Sequence, residues 1–467
     1  MSIQRRKEAF LLLFGDVLIF VLSLWLMLIV RYGELPSKEL FDLHLVPFSL
    51  LFIVWILIFF IAGLYEKHTT ILKHKLAPVI FNAQIVNIVL AISFFYLIPY
   101  FGITPKTNLF LYLAISIALI LPWRLNGYKL FGIRKRQNAL LIGSGEEMRQ
   151  LKKEVNDNSR YSLTFISTID LDDVSDLDFQ EEVVRRVYAD EVTVIVADLK
   201  NDKVQPILPH LYNLIFSKVR FIDMHRVYED IFDRIPLSLV QYNWFLENIS
   251  VAPKITYDII KRIMDIVLAF VVGVMSLVLY PLIFLAIKLD DGGKLFFLQD
   301  RIGKNNKPVK IFKFRSMSEQ SGDASGAERS VDAVASATAQ EDAYGTETKK
   351  ITRVGKFLRR TRLDELPQLW NVVRGDLSLI GPRPEIPTLA NEYEEQISYY
   401  NIRHLIKPGL SGWAQIYHDN HPHHLSDVGE TKVKLSYDLF YIKNRSFVLD
   451  LKIALKTLKK LASRAGK

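Results

Sequence analysis

Ile266–Ile287 reads IVLAFVVGVMSLVLYPLIFLAI, an apolar run long enough to cross a hydrocarbon core. Its flanks argue against a straight crossing. Lys254, Lys261 and Arg262 precede it, and Lys288, Lys294, Arg301, Lys304, Lys307, Lys310, Lys313 and Arg315 follow it. Basic flanks stay on the cytoplasmic side of a membrane, so a single crossing would strand the second cluster outside. Pro281 offers a way out: it lacks an amide hydrogen and its ring crowds the preceding turn, so the helix can bend and return to the face it left. The segment therefore reads as a re-entrant helix over about residues 263–289, with an ordinary fifth span as the alternative.

Upstream lie four more apolar segments, at about 9–30, 46–64, 78–101 and 108–123, with aromatic residues at their ends. They account for much of the 50% hydrophobic content. The first run is too long for a signal-peptide core and no small-residue cleavage site follows, so a retained anchor is expected. Asp16 within it is expected to cap or pair, with a functional role as the alternative. Arg5, Arg6 and Lys7 precede the block, and Arg124, Lys129, Arg134, Lys135 and Arg136 follow it. Both ends are therefore read as cytoplasmic. The net charge of +9 sits beside these segments, which suits anionic lipid and a phosphorylated substrate better than nucleic acid. With no cysteine, disulfides, thiolate zinc sites and cysteine nucleophiles are excluded.

The pattern changes near residue 137. Asn138–Ile142 reads as a buried strand, and further apolar runs at Leu163–Ile169, Val192–Ala197 and Val219–Ile222 are separated by helix-length segments. Such alternation predicts a doubly wound α/β domain with a mainly parallel sheet. The turn Gly143-Ser144-Gly145 resembles a dinucleotide fingerprint, but Met148 stands where a third glycine is wanted, and Asp170 lies where a ribose-binding acid belongs. A structural or regulatory module is the reading; an NAD site is the alternative.

Beyond the re-entrant segment, Val309–Met317 alternates cationic and apolar residues as a half-buried strand does, and Lys310, Lys313 and Arg315 suggest a phosphate-facing surface. Residues 318–349 are poor in large apolar residues and read as a flexible insertion. Val354, Phe357, Leu358 and Thr361 then have helical spacing among Lys356, Arg359 and Arg360, which predicts a basic amphipathic helix. Next come Thr361-Arg362-Leu363-Asp364-Glu365-Leu366-Pro367-Gln368 and Gly381-Pro382-Arg383-Pro384. A second helix is expected to begin near Asp364-Glu365, with Pro367 in its first turn. Acidic residues at a helix start are often only caps, and the pattern leaves that open against chemistry. Two adjacent carboxylates between clusters of arginine also suit a nucleotide-sugar diphosphate, which needs cations, together with the metal or nucleophile that acts on it.

The stretch from about Lys261 to Leu458 resembles the bacterial sugar transferases, the monotopic phosphoglycosyl transferases that act on polyprenyl phosphate. The resemblance rests on Lys261-Arg262-x-x-Asp265, Phe297-x-Gln299-x-Arg301-Ile302-Gly303, Lys313–Met317, Gly355–Thr361, Leu363–Leu369, Leu379–Pro384 and Lys407–Gln415. It implies three domains: a four-span membrane helical bundle (1–128), a Rossmann-like α/β domain (135–250) and an α-rich catalytic domain with the re-entrant membrane helix (255–467). It also implies transfer of sugar-1-phosphate from a UDP-sugar to undecaprenyl phosphate, with release of UMP, at the cytoplasmic face of the bacterial inner membrane. The glycan made would be an exopolysaccharide, an O-antigen or an S-layer glycan.

By that resemblance Asp364 is the nucleophile and Glu365 assists, the pair orienting Mg²⁺. Arg315, Arg359 and Arg383 are expected at the diphosphate and nucleotide, with Arg360, Pro382, Pro384 and Gln368 completing the substrate site. Asp438 and Tyr441 match a family Asp-x-x-Tyr pattern and read as structural or substrate-ordering. Tyr280-Pro281 stands where the family's helix break is often Ser-Pro, and Arg362 where a small serine is common. Large members suggest a homodimer.

The tail carries a stripe of Leu451, Ala454, Leu455, Leu458 and Leu461 with lysines away from it, expected on lipid or a partner helix. His418, His421, His423 and His424 lack helical metal-site spacing and are not read as ligands. Two other functions compete: a membrane-anchored NAD-dependent sugar-modifying enzyme, disfavoured by Met148, and an inactive assembly scaffold, disfavoured by the intact Asp364-Glu365 pair.

Overall fold

The computed structural model describes residues 6–65, 73–98, 105–130, 136–158, 161–173, 179–249, 254–317, 351–417 and 428–462. The insertion at 318–349 and the histidine cluster at 418–424 lie outside them. Residues 1–232 and 233–467 form two compact units.

The first unit opens with helices α1 (Arg6–Tyr32), α2 (Lys38–Ile61), α3 (Lys73–Leu97) and α4 (Pro105–Leu130), each containing a stretch long and apolar enough to cross a membrane. Ser37 starts α2 by accepting a hydrogen bond from the Leu40 amide at 3.2 Å, which satisfies one of the free amides of the first turn. Phe20, Leu24, Phe48, Trp55 and Tyr112 meet in the shared core. Asp16 is buried there and paired: Arg124 Nε donates to it at 3.1 Å and the Tyr65 hydroxyl at 2.7 Å. Arg124 also donates to the Leu64 carbonyl at 2.7 Å, so neither ion is left unmatched in an apolar surrounding.

The unit continues with β1 (Gln137–Gly143), α5 (Gly145–Asp157), β2 (Leu163–Asp170), α6 (Phe179–Ala189), β3 (Val194–Ala197), α7 (Leu208–Asn213), β4 (Arg220–Asp223) and α8 (Met224–Phe232). All four strands are parallel, in the order β2–β1–β3–β4. The apolar runs expected as strands fall on these elements. Gly145 turns the chain into α5 with φ +78°, a left-handed conformation that glycine adopts without penalty. Met148 is buried beneath the turn with its Cγ 3.7 Å from where a Gly143 side chain would begin, and the Met224 sulfur comes nearer still at 2.7 Å, so side chains fill the space a third glycine would leave open. A cleft of about 520 Å³ lies beside the carboxyl end of β2, with Arg149, Lys152, Asp170 and Arg186 in its lining.

In the second unit, residues grouped from sequence with the α/β domain pack elsewhere. Ile235, Val240, Trp244 and Phe245, the last two on α9 (Tyr242–Asn248), share a core with Ala390, Tyr393 and Leu439. Next come α10 (Ile255–Ser276), a 3-10 turn at Leu277–Leu279, and α11 (Tyr280–Asp290), whose first turn holds Pro281. Pro281 thus begins a new helix just after the break. An antiparallel hairpin of β5 (Phe296–Ile302) and β6 (Pro308–Phe314) follows.

Both limbs of the broken helix rest on the same body. On α10, Ala269 packs with Ile311, Leu369, Val372 and Leu377; on α11, Ile283 and Ile287 pack with Phe314 and Leu358. Residues around the break stay bare, with Met275 70% and Val278 75% exposed.

The remaining elements are α12 (Arg353–Thr361), α13 (Gln368–Arg374), β7 (Ser378–Ile380), α14 (Pro387–Gln396), β8 (Gly409–Ser411), α15 (Trp413–Tyr417), α16 (Val428–Asn444) and α17 (Phe447–Ala462). Strands β7 and β8 run parallel at very close range: a side chain on Gly409 would begin 2.1 Å from the Gly381 nitrogen. The Lys261-Arg262-x-x-Asp265 motif docks α10 onto this body. Arg262 donates to the Val372 and Val373 carbonyls at 2.7 and 2.9 Å, capping the end of α13. Asp265 accepts from the Ser378 hydroxyl at 2.7 Å and the Leu379 amide at 3.2 Å, and Lys261 pairs with Asp450 on α17 at 3.0 Å.

Candidate active site

The helix expected to begin near Asp364-Glu365 begins later. Arg362 is left-handed (φ 58°) and ends α12; Leu363–Glu365 then forms a separate 3-10 turn, and α13 starts only at Gln368. The physical reason lies in the two bounding residues. A left-handed residue cannot continue α12, and Pro367 has no amide to bond back into a helix begun at Asp364. The carboxylate pair is therefore held on a short turn between two helices.

Local packing fixes that turn. Thr352 caps α12 through the Gly355 amide at 2.9 Å. A side chain on Gly355 would begin 2.0 Å from the Ser316 carbonyl oxygen, so only glycine lets α12 lie against this strand end. Asn371 on α13 accepts from the Phe312 amide at 3.0 Å and donates to the Lys310 carbonyl at 2.7 Å, which ties α13 to β6.

Asp364 is 8% exposed, and its Oδ1 is buried without a hydrogen-bond partner among the described residues. Glu365 Oε1 accepts from Arg383 Nη2 at 2.9 Å and lies 3.4 Å from Arg362 Nη1. The two carboxyls are driven apart in acidity. Burial, and then the neighbouring Glu365 charge, push Asp364 up to about 6 against the pull of Lys313, Arg359 and Arg362. Burial would also raise Glu365, but Arg383, Arg362 and Lys313 together hold it down at about 2. Burial, followed by the Arg383 charge, lowers Lys313 to about 8. One carboxyl is thus a fixed anion and its neighbour titrates close to neutrality, the separation expected of groups with different chemical tasks.

Of the residues singled out from sequence, the structure gathers Asp364, Glu365, Arg359 and Arg383 into one electrostatic cluster with Lys313 and Arg362. Arg359 Nε also donates to Ser316 Oγ at 2.9 Å. Arg315 is engaged at another place, 2.7 Å from Asp291 and 2.9 Å from the Met317 carbonyl. Lys310, three residues from Lys313 on β6, occupies the opposite strand face, so the three cations do not form one surface. Arg360 is exposed on α12, and Gln368 is buried at the start of α13. The Pro382 carbonyl accepts from the Gly409 amide at 2.8 Å and the Pro384 carbonyl from Arg301 at 3.3 Å, so both prolines shape the loop that carries Arg383.

Asp438 and Tyr441 are buried in structural positions: Asp438 pairs with Arg403 at 2.9 Å and Tyr441 donates to Asp450 at 2.8 Å. No sequence reading singles out Asn371, Glu385 or Arg403, and Arg301 enters only in a basic flank and a motif. The one available signal was adjacency, since Glu385 directly follows the Gly-Pro-Arg-Pro run.

A membrane-integral chain with five long apolar helices and a cation-bracketed carboxylate pair, its aspartate buried, is the class that fold and site define. The profile described as bacterial sugar transferase matches residues 256–464. The chain is 35% identical over 277 residues to a UDP-N-acetylgalactosamine-undecaprenyl-phosphate N-acetylgalactosaminephosphotransferase of Aeromonas hydrophila, covering 58% of this chain and 59% of that one. It is 37% identical over 200 residues to the UDP-glucose:undecaprenyl-phosphate glucose-1-phosphate transferase of Escherichia coli strain K12, covering 43% of this chain and 39% of that one. A third match, the protein of the same name from Caulobacter vibrioides, is 35% identical with 45% of this chain and 72% of that one covered. This chain belongs to the bacterial sugar transferase family. Against the first two relatives it spans 59% and 39% of their own length.

Proposed function

We propose that this protein transfers sugar-1-phosphate from a UDP-sugar to undecaprenyl phosphate on the cytoplasmic face of a bacterial inner membrane. The observation that carries this is the Asp364 carboxyl: buried, with one oxygen unpartnered, and set beside a permanently ionised Glu365 and a ring of cations. A carboxylate that keeps a free lone pair in a desolvated site is a nucleophile waiting for an electrophile.

In this mechanism Arg383, Arg359 and Lys313 neutralise the diphosphate. Asp364 attacks the sugar-linked phosphorus; the new O–P bond forms as the phosphoanhydride bond breaks, and UMP leaves with the electron pair. A phosphate oxygen of the polyprenyl acceptor then attacks the same phosphorus. The acyl-phosphate bond breaks, the Asp364 carboxylate is restored, and the lipid diphosphate sugar departs. Mg²⁺ fits an all-oxygen set of one or two carboxylates plus substrate phosphates, and Asp364 and Glu365 would hold it. Bound there, it would neutralise charge building on the leaving phosphate.

The same proposal reads α10–α11 as a re-entrant hairpin. Its 36 residues would span about 54 Å as one straight helix, well beyond a hydrocarbon core of about 30 Å. The break at Leu277–Leu279 and the seating of both limbs on one body support a return to the starting face. The strand order β2–β1–β3–β4 supports a doubly wound module of the flavodoxin-like kind, since β3 lies beside β1 where the dinucleotide-binding order has β4, and buried Met148 likewise favours a structural or regulatory role for it. The test is UMP release by the full chain with undecaprenyl phosphate and a panel of UDP-sugars. Turnover with one or more donors that Asp364→Asn lacks supports the reading; no turnover with any donor overturns it.

A further inference from the structure

Arg383 meets Glu365 from a loop in which Pro382 and Pro384 restrict the backbone and lack amide hydrogens, so the loop is held through its carbonyls. What holds that loop lies outside the carboxylate cluster. Arg403 Nη2 donates to the Arg383 carbonyl at 3.0 Å, and Arg301 Nη1 donates to the Pro384 carbonyl at 3.3 Å. Glu385 grips both arginines: its Oε2 lies 3.3 Å from Arg403 and 2.9 Å from Lys434, and its Oε1 lies 3.9 Å from Arg301. Its backbone carbonyl accepts from the Ile302 amide at the end of β5 at 2.9 Å.

Arg403 is anchored in turn by Asp438 at 2.9 Å and by the Tyr400 hydroxyl. Arg403 and Asp438 are almost wholly buried. Arg301 of β5 and Arg403 of the 3-10 turn Tyr400–Leu405 thus converge on the backbone of one loop, with Lys434 and Asp438 of α16 paired to Glu385 and Arg403 behind them.

We infer that Glu385 and Arg403 are positioning residues of the transfer site, clamping the Arg383–Pro384 backbone so that the Arg383 guanidinium is presented to Glu365 and to the donor diphosphate. The inference rests on the transfer reaction proposed above. Geometry favours it over simple core stability. Arg403 spends one guanidinium on Glu385, Asp438 and the Arg383 carbonyl at once, a fork that lysine cannot reproduce. Among the described residues Glu385 is the one anion within ion-pair distance of both arginines bound to the loop carbonyls, so neutralising it weakens the hold on both. A clamp of this kind acts through Arg383, and removing Arg383 must therefore hide the loss of the clamp.

The test uses the full chain in lipid nanodiscs, with Arg403→Lys and Glu385→Gln made alone and in an Arg383→Ala background. Alone, each variant is expected to lower kcat about tenfold or more; in the Arg383→Ala background each adds less than about twofold. The Ile302 and Gly409 amides, which donate to the Glu385 and Pro382 carbonyls of this loop, are expected to exchange with solvent at least about tenfold faster in the single variants, while melting remains cooperative. Losses that multiply across the two sites, or amide protection equal to that of the unsubstituted chain, overturn the inference. Failure of both variants to fold also overturns it, since the cluster would then serve core stability alone. If the unsubstituted chain releases no UMP from any donor, the transfer reaction fails instead, and amide exchange still decides the clamp.

Discussion

Asp265 and Asp364 are buried almost equally, 7% and 8% exposed, and both lie in short motifs rich in arginine and lysine. They differ in what their oxygens meet. Asp265 accepts from Ser378 and Leu379, beside Arg262 capping α13 and Lys261 bound to Asp450, and every contact joins α10 to the body beneath it. Asp364 keeps one oxygen free in a desolvated turn. A buried carboxylate whose oxygens are all engaged is holding structure together, while one left unmet among cations is spending stability on chemistry.

Substitution separates the two regions. The largest effect is expected from Asp364→Asn, which lowers steady-state transfer at least ~10³-fold while the melting temperature stays constant or rises, because a buried unpaired charge is removed. Loss of activity accompanied by unfolding would put Asp364 with Asp265 as a structural residue. Glu365→Gln follows at about 10²-fold, since the Arg383 guanidinium loses its anionic partner; kinetics with saturating donor measure it. An unchanged kcat would limit Glu365 to a packing role.

Acidity offers a milder contrast. The Asp364 carboxyl titrates at about 6, and protonation as pH falls through that value removes the attacking anion. The kcat/KM profile, which reports groups of the free enzyme, should therefore descend on its acid side with unit slope, about tenfold lower at pH 5 than on the plateau. A flat profile down to pH 5 would contradict this.

The smallest effects belong to the anchor. Asp265→Ala should cost about 2 kcal/mol in denaturant or thermal unfolding by leaving the Leu379 amide without its acceptor and the Ser378 hydroxyl with only the Ile380 carbonyl, while kcat per folded molecule stays within about threefold. Stability contributed by Glu385 also has a defined pH window. Its folded acidity is lowered to about 2 because Lys434, Arg403 and Arg301 outweigh burial. Its contribution is therefore complete above the ordinary glutamate range near 4.3 and is lost as pH falls toward about 2. Glu385→Gln should flatten the acid-induced loss of stability across that window.

The strands of the α/β domain, the apolar helices and the reactive-looking pair were legible because each rests on local pattern: alternation, run length or a short motif. Arg315 shows what local pattern misses. It sits beside Lys313 in sequence, yet the pairing partner that claims it, Asp291, lies 24 residues upstream across the hairpin. The second helix begins four residues beyond Asp364 because Arg362 takes a left-handed conformation, and a non-glycine residue gives no warning of that. Glu385 and Arg403 were invisible for a related reason. Their partners come from β5 and α16, and only tertiary structure brings those elements to one loop.

The most direct measurement uses donor labelled in the sugar-linked phosphate, mixed with the full chain without lipid acceptor, quenched and mapped by peptide. The label should appear on the peptide holding Asp364, approach one per active chain, and disappear into lipid product when undecaprenyl phosphate is added. Normal product formation with no label on that peptide, or full turnover by Asp364→Asn, would contradict a covalent phosphosugar at Asp364.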